Sequence, residues 1–260
     1  MPIILKEEAR TSEDRKMRLS VLNGAAALSA GAALMLAASG PAAAHPHVWV
    51  SVESTVVYDG GEPEITAANA LEAGGELRWS KITVGATGFA TWIERESIFD
   101  HLSGVNALRD GSRRLGTELF VEARPASWLA LRGDVTAVDA RFVVTENPVP
   151  GAPRLLVSAE ARFDRKPWSA GVAGRFLGAR PLIHGATASA STVLDAIGGW
   201  ARGRWGFALQ IDNLLGTDWN EGEFHFASRW DLSTPKSDLP RVHISPGRPF
   251  GVRAAATLRF

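Results

Sequence analysis

From about residue 66 to the end of the chain, apolar and polar positions alternate with a period of two. The runs are about ten residues long. In the run 155–163, Leu155, Val157, Ala159, Ala161 and Phe163 fall on one side, and Leu156, Ser158, Glu160 and Arg162 on the other. In 129–138 the apolar side is Leu129, Leu131, Gly133, Val135 and Ala137, and Arg132, Asp134 and Thr136 oppose it. The runs 205–212 and 252–260 repeat the pattern, with Trp205, Phe207, Leu209 and Ile211, then Val252, Ala254, Ala256, Leu258 and Phe260, on their apolar sides. Successive strand residues point to opposite faces, so strict alternation predicts strands with one apolar and one polar face. Further strands are expected at 68–78, 84–94, 114–123, 168–177 and 192–200. Soluble strands usually run five or six residues, whereas about ten tilted residues cross a bilayer.

The connections alternate too. Short turns are expected at 79–82, 125–127, 164–167 and 202–204, and long loops at 97–113, 139–154, 178–191 and 214–249. Short turns at one end and long loops at the other are the habit of outer-membrane barrels. Trp128, Trp168 and Trp205 stand at or just after short turns, and Trp79 and Trp200 at or just before them. These five then share one level and form an aromatic girdle, because amphipathic rings favour the membrane interface. Lys81, Arg165, Lys166, Arg202 and Arg204 lie in the turns beside them. The tryptophan spacing near forty residues also fits a β-propeller blade, but each period holds two long strands rather than four. A soluble sandwich or lipocalin-like barrel is the stronger rival, and it predicts shorter strands and no ordered tryptophan level.

Composition narrows the function. The chain has 260 residues, 28 basic and 28 acidic, and no cysteine. Neutrality gives no electrostatic footprint for nucleic acid. The absence of cysteine excludes disulfides, thiolate metal sites and cysteine nucleophiles. No Ser-His-Asp, phosphate-loop, dinucleotide or glycosidase pattern is found, so no enzyme is expected. The pairs Glu94/Glu96 and Glu221/Glu223 are expected to be solvated loop-edge carboxylates. Glu118, Glu122, Arg132, Asp134, Glu160, Arg162 and Arg253 are expected to be cross-strand partners on the polar face.

The front of the chain is different. Lys16-Met17-Arg18, an apolar run from about Val21 to Ala38, and an exit ending Ala42-Ala43-Ala44 read as a cleavable secretory signal helix. Met17 is an alternative start, and a single membrane-spanning helix is the rival reading. Cleavage after Ala44 leaves His45 at the mature amino terminus. Its amine and ring, with His47 nearby, can then chelate Cu or Zn, since imidazole suits both. The plain alternative is an exposed strand start that binds nothing. His101, His184, His225 and His243 fall in or beside long loops without ligand spacing, and are expected to be surface residues.

Several segments, in order, resemble the last third of a TonB-dependent receptor barrel. Phe89 to Asp100 resembles a mid-barrel strand and its outer loop, and Arg113-Arg114-Leu115-Gly116-Thr117-Glu118-Leu119 a return strand. Phe176-Leu177-Gly178-Ala179-Arg180-Pro181-Leu182 resembles a later strand end, and Leu209 to Asn220 the Asn-Leu-containing strand end near the carboxyl terminus. Ser245-Pro246-Gly247-Arg248-Pro249 and the terminal Leu258-Arg259-Phe260 complete the resemblance, with Phe260 as the aromatic last residue of the barrel signature. The stretch from Ala44-His45-Pro46-His47-Val48-Trp49-Val50 to Tyr58 resembles the mature start of the exported domain-of-unknown-function 1007 family, associated with metal uptake systems.

The chain therefore reads as a signal peptide over 1–44, a short strand and junction over 45–65, and a receptor-barrel segment over 66–260. The stretch resembling the 1007 family covers about 17–58. The expected fold is all-β: a partial, truncated, antiparallel up-and-down outer-membrane β-barrel of about eight to ten long strands, preceded by a signal-peptide helix. The resemblance implies uptake of a siderophore-like ligand, outer-membrane lipid as surroundings, and the barrel assembly machinery as a partner. No plug and no TonB box are found, so neither autonomous transport nor a TonB contact is expected. Two alternatives remain: a periplasmic metal-binding protein, and a small passive outer-membrane barrel.

Overall fold

A computed structural model of the chain describes residues 20–22, 25–37, 45–58, 65–100, 105–228, 233 and 239–260, with backbone alone up to residue 65 and at residues 100 and 105. It contains β1 (Ser20–Leu22), β2 (Ala25–Ala37), β3 (His45–Tyr58), β4 (Ile65–Arg78), β5 (Ile82–Ile93), β6 (Ser97–Asp100) and β7 (Val105–Leu108). There follow β8 (Ser112–Ala126), β9 (Leu129–Phe142), β10 (Leu155–Arg165), β11 (Trp168–Leu177), β12 (Arg180–Pro181) and β13 (Thr187–Ala188). The chain ends with β14 (Ser191–Arg202), β15 (Trp205–Asp212), β16 (Asn220–Phe226), β17 (Arg241–Pro246) and β18 (Gly251–Leu258).

Twelve of these strands form one sheet in the order β1-β2-β3-β4-β5-β8-β9-β10-β11-β14-β15-β18. Every neighbouring pair is antiparallel. This is an up-and-down meander, and its order is linear: the sheet does not close into a barrel. The strands skipped in that order pair among themselves as β6-β7, β12-β13 and β16-β17. All three small hairpins lie in the long loops, so one end of the sheet is elaborated and the other is not. At the plain end the connections are tight. Gly203, at φ 59, allows β14 to turn into β15, with Arg202 directly opposite Trp205; glycine takes this left-handed conformation without Cβ crowding.

The nine alternating runs correspond to β4, β5, β8, β9, β10, β11, β14, β15 and β18. One expectation fails. The segment 25–37, expected as a signal-peptide helix, is strand β2, paired with β3 from Ala27↔Val57 to Ala37↔His47. Periodicity does not separate a short apolar helix from a strand, and the open edge of β3 offers a row of unsatisfied amides and carbonyls. With β1, this raises the strand count from the expected eight to ten to twelve.

There is no second layer of packed structure against this sheet among the described residues. The buried apolar residues are Ala140, Val149, Leu182, Ala188 and Val193. All lie in the long loops or the strand ends beside them, where the loops fold over the sheet. Along the strands the large apolar side chains stay open: Leu119 is 52% exposed, Phe207 52% and Val252 53%. A sandwich would have buried them.

Candidate functional site

Registered pairs place side chains on the same face of a sheet, so the two faces can be read strand by strand. Gly75↔Ala86, Ala86↔Leu119, Leu119↔Val135 and Val135↔Val157 follow one row across β4 to β10, and Leu71↔Ala90 lies on the same face. Val172↔Ala196, Ala196↔Ile211 and Ile211↔Val252 continue the same face to β18. Charges appear on this face only near strand ends: Arg113, Asp139 and Arg141 beside the loops, and Arg165 and Arg202 beside the turns.

The opposite face carries the charges. Arg132 reaches Glu122 across the strand pair at 3.2 Å, and Asp134 along its own strand at 3.0 Å. Ser158 donates to Asp134 at 3.2 Å. Arg253 pairs across strands with Asp212 at 2.8 Å, and Gln210 donates to the same carboxylate at 3.0 Å. Arg162 pairs with Glu160 two residues back, and Arg78 with Glu76. The expected cross-strand ladder is therefore mixed, with some pairs running across strands and others along one strand.

The five tryptophans gather at the short-turn end. Trp168 and Trp200 are register partners with ring centroids 6.4 Å apart. Phe207 links Trp200, at 5.8 Å, to Trp205, at 6.4 Å with parallel rings. Trp128, in the β8–β9 turn, meets Phe163 edge-on at 5.5 Å. Trp79 follows β4, and its amide donates to the Ile82 carbonyl at 2.8 Å. Phe260 lies just beyond β18 and is fully exposed.

At the long-loop end, two carboxylates expected to be solvated are buried. Glu96 is 8% exposed and accepts from Ser112 Oγ and from Arg114, the latter at 2.8 Å. Glu223 is 7% exposed and accepts from the Ser189 amide at 3.1 Å and Asn220 Nδ2 at 2.9 Å. Burying a carboxylate costs several kcal/mol unless it is hydrogen-bonded, and here each ties a loop hairpin to its neighbour. Partners 16 and 34 residues away supply this burial, so local sequence carried no signal of it.

Asn213, at φ 49 and 1% exposed, is the tightest knot. Its Nδ2 donates to the carbonyls of Thr217 (2.8 Å) and Arg248 (3.3 Å). Its Oδ1 accepts from the Thr217 amide and hydroxyl, both at 3.1 Å, and its own amide donates to Asp195 at 2.8 Å. Asn213 lies within the Leu209 to Asn220 segment, where nothing in the local pattern marks it as a clamp.

A cavity of about 610 Å³ opens among these loops, with Arg109, Asp110, Phe142, Asn147 and His184 in its wall. The His184 ring meets His225 at 6.2 Å, and His225 Nδ1 donates to the Ile183 carbonyl at 2.9 Å. His243 stacks on Phe226 at 4.1 Å. Among the described residues no three His, Cys, Asp or Glu side chains converge as metal ligands. His45 and His47 lie in β3, but their side chains fall outside the described residues, as does His101.

The fold has clear counterparts. The closed form of the ferric-catecholate import receptor Fiu from E. coli superposes with a TM-score of 0.63 at 18% identity, covering 89% of this chain and 35% of the receptor. The ferric yersiniabactin uptake receptor FyuA from Yersinia pestis gives 0.64 at 16% identity, covering 91% and 37%. The FrpB iron transporter from Neisseria meningitidis gives 0.61 at 11% identity, covering 93% and 44%. This chain thus spans less than half the length of each. A family model described as Protein of unknown function (DUF1007) matches residues 30–69. Comparison with curated proteins finds no match. The counterparts show a shared fold: this sheet is laid out like part of an import-receptor barrel.

Proposed function

We propose that the chain is a segment of a TonB-dependent outer-membrane receptor barrel. Its apolar face meets lipid, its charged face lines the interior, and its loop end faces a siderophore-like ligand. The observation that carries this reading is the apolar face, continuous in register from β4 to β18, charged only near its strand ends, with no packed layer over it among the described residues. In water such a surface is an aggregation liability, and in hydrocarbon it is the solvated one. The backbone logic agrees, since a sheet in lipid satisfies its amides only by strand pairing. The proposed role of this segment is that of a receptor wall. In this reading the barrel assembly machinery inserts the chain into a Gram-negative outer membrane. The match over residues 30–69 and the His45/His47 pair favour a second reading, a periplasmic protein that binds Cu or Zn at its mature amino terminus.

One measurement separates these readings, and a second tests the export that both require. The first uses cysteine, which the native chain lacks. In membranes, Val135→Cys is expected to resist a water-soluble maleimide. Once carrying a fluorophore, it is expected to be quenched by a lipid-borne quencher. Asp134→Cys, one residue along on the opposite face, is expected to react with the maleimide and escape quenching. Absence of lipid quenching at Val135→Cys defeats the barrel reading. The second is amino-terminal sequencing of the exported protein. We expect His45 as first residue, in which case β1 and β2 are removed with residues 1–44 and β3 becomes the first strand of the exported sheet; an exported product that starts at Met1 or Met17 keeps them and overturns this.

A further inference from the structure

Among the described residues, the short-turn rim carries more cations than carboxylates. Arg124, Arg165, Lys166, Arg202, Arg204 and Arg259 are all exposed. None has a carboxylate within ion-pairing distance among the described residues. Lys81, in the same rim, donates to the Pro125 carbonyl at 3.0 Å, and among the described residues the rim's one side-chain carboxylate is Asp164. On the charged face, by contrast, Arg78, Arg132, Arg162 and Arg253 each have a carboxylate partner, and Arg175 lies over the Trp219 ring at 5.4 Å. At the loop end Arg113, Arg114 and Arg141 are paired, and the remaining cations there are interspersed with acids such as Asp110, Asp218 and Glu221.

The unpaired cations interleave with the tryptophans at one level. Arg165 is the register partner of Trp168, Trp168 of Trp200, and Arg202 of Trp205. The Arg259 amide donates to the Arg204 carbonyl at 2.9 Å, which brings the β14–β15 turn beside the segment that follows β18. Five adjacent strands, β10, β11, β14, β15 and β18, contribute. At about 4.8 Å between strands they form an arc of roughly 20 Å.

We propose that this arc is a binding surface for anionic phospholipid headgroups in the leaflet on the short-turn side. The proposal rests on the membrane-wall reading above and adds the headgroup to it. The rings sit at the interfacial depth and place the guanidiniums at the phosphate level, where Arg forms forked, charge-assisted hydrogen bonds with phosphate oxygens. The phosphates supply the counter-charge that the protein itself omits from this rim.

The test uses native tryptophan fluorescence of the full chain reconstituted in phosphatidylcholine–phosphatidylglycerol bilayers. The bilayers are matched in composition, with bromine carried on the acyl chains of one lipid or the other. Brominated phosphatidylglycerol is expected to quench more than brominated phosphatidylcholine, with a preference of about fivefold for each cation in contact. The preference should fall at high salt while overall quenching persists. R202Q/R204Q/R259Q is expected to lose most of the preference, and R202K/R204K/R259K, which keeps the charge, to retain it. The loop-end control R154Q/R241Q is expected to leave it intact. Equal quenching by both lipids, or a preference that survives in R202Q/R204Q/R259Q, overturns the headgroup proposal while leaving the wall reading standing. No quenching by either lipid defeats the wall reading itself.

Discussion

Asn213→Ala is expected to destabilise the protein by about 3 kcal/mol, one of the two largest single-residue effects we anticipate. The side chain holds both ends of the long connection between β15 and β18: Thr217 as the chain leaves the sheet, and the Arg248 carbonyl as it returns. Alanine removes both donated bonds and both accepted bonds, leaving polar groups short of partners at a site where Asn213 itself is 1% exposed. Each net hydrogen bond is worth about 1 kcal/mol, and an unsatisfied buried group costs more. Alanine must also adopt the positive φ that asparagine tolerates, at a further cost of about 1 kcal/mol. Asn213→Gly separates these contributions, because it loses the same bonds without the backbone strain. It is expected to cost about 2 kcal/mol, roughly 1 less than alanine. Asn213→Asp keeps an acceptor for Thr217 but turns a carboxylate toward two carbonyls, and should resemble alanine. Urea unfolding measures the stability, and limited proteolysis of the 214–249 loop reports its release. If Asn213→Ala unfolds with the wild type and its loop is cut no faster, Asn213 is not a clamp.

What the sequence made legible, and what it hid, divides along the range of the interactions. Alternation is local: Val135 and Asp134 must point to opposite sides of β9 whatever surrounds them, so the two faces could be read from single strands. The turn signals were equally local, and the placement of Trp168, Trp200 and Trp205 followed from them. Pairing added what single strands do not contain, namely that the apolar rows of successive strands run in register across the sheet. The carboxylates Glu96 and Glu223 were misjudged because their burial comes from loops that arrive from elsewhere in the chain. Loop composition gave no warning, since the same Glu-x-Glu spacing fits a solvated edge. The helix expected over 25–37 failed for a related reason. An uncharged Ala-rich run is compatible with either structure, and the free edge of β3 decided in favour of a strand.

Placing a charge on the apolar face is the other large effect. Val135 lies near the middle of β9, with Leu119 and Val157 as its register partners on either side. If this face is solvated by hydrocarbon, Val135→Arg is expected to cost roughly 2–4 kcal/mol, the penalty for a lipid-facing cation near mid-depth. The nearest charge on this face of β9 is Asp139, four residues from Val135, so snorkelling relieves only part of it. Asp134→Asn, on the adjacent residue, is expected to cost about 1 kcal/mol or less. Its partners Arg132 and Ser158 stand on an open face, and Arg132 keeps Glu122 as an alternative at 3.2 Å. Equilibrium unfolding from lipid bilayers gives both values. The contrast between neighbours matters more than either figure, because the same strand, depth and pairing are shared and only the face differs. The depth profile adds a second check. Moving the arginine along the same face from Val135 to Leu131, and then to Leu129 beside the turn, should lower the cost stepwise toward the interfacial level of Trp128. A flat profile would mean that the face is shielded by protein rather than lipid, and the receptor-wall reading would then have to be given up.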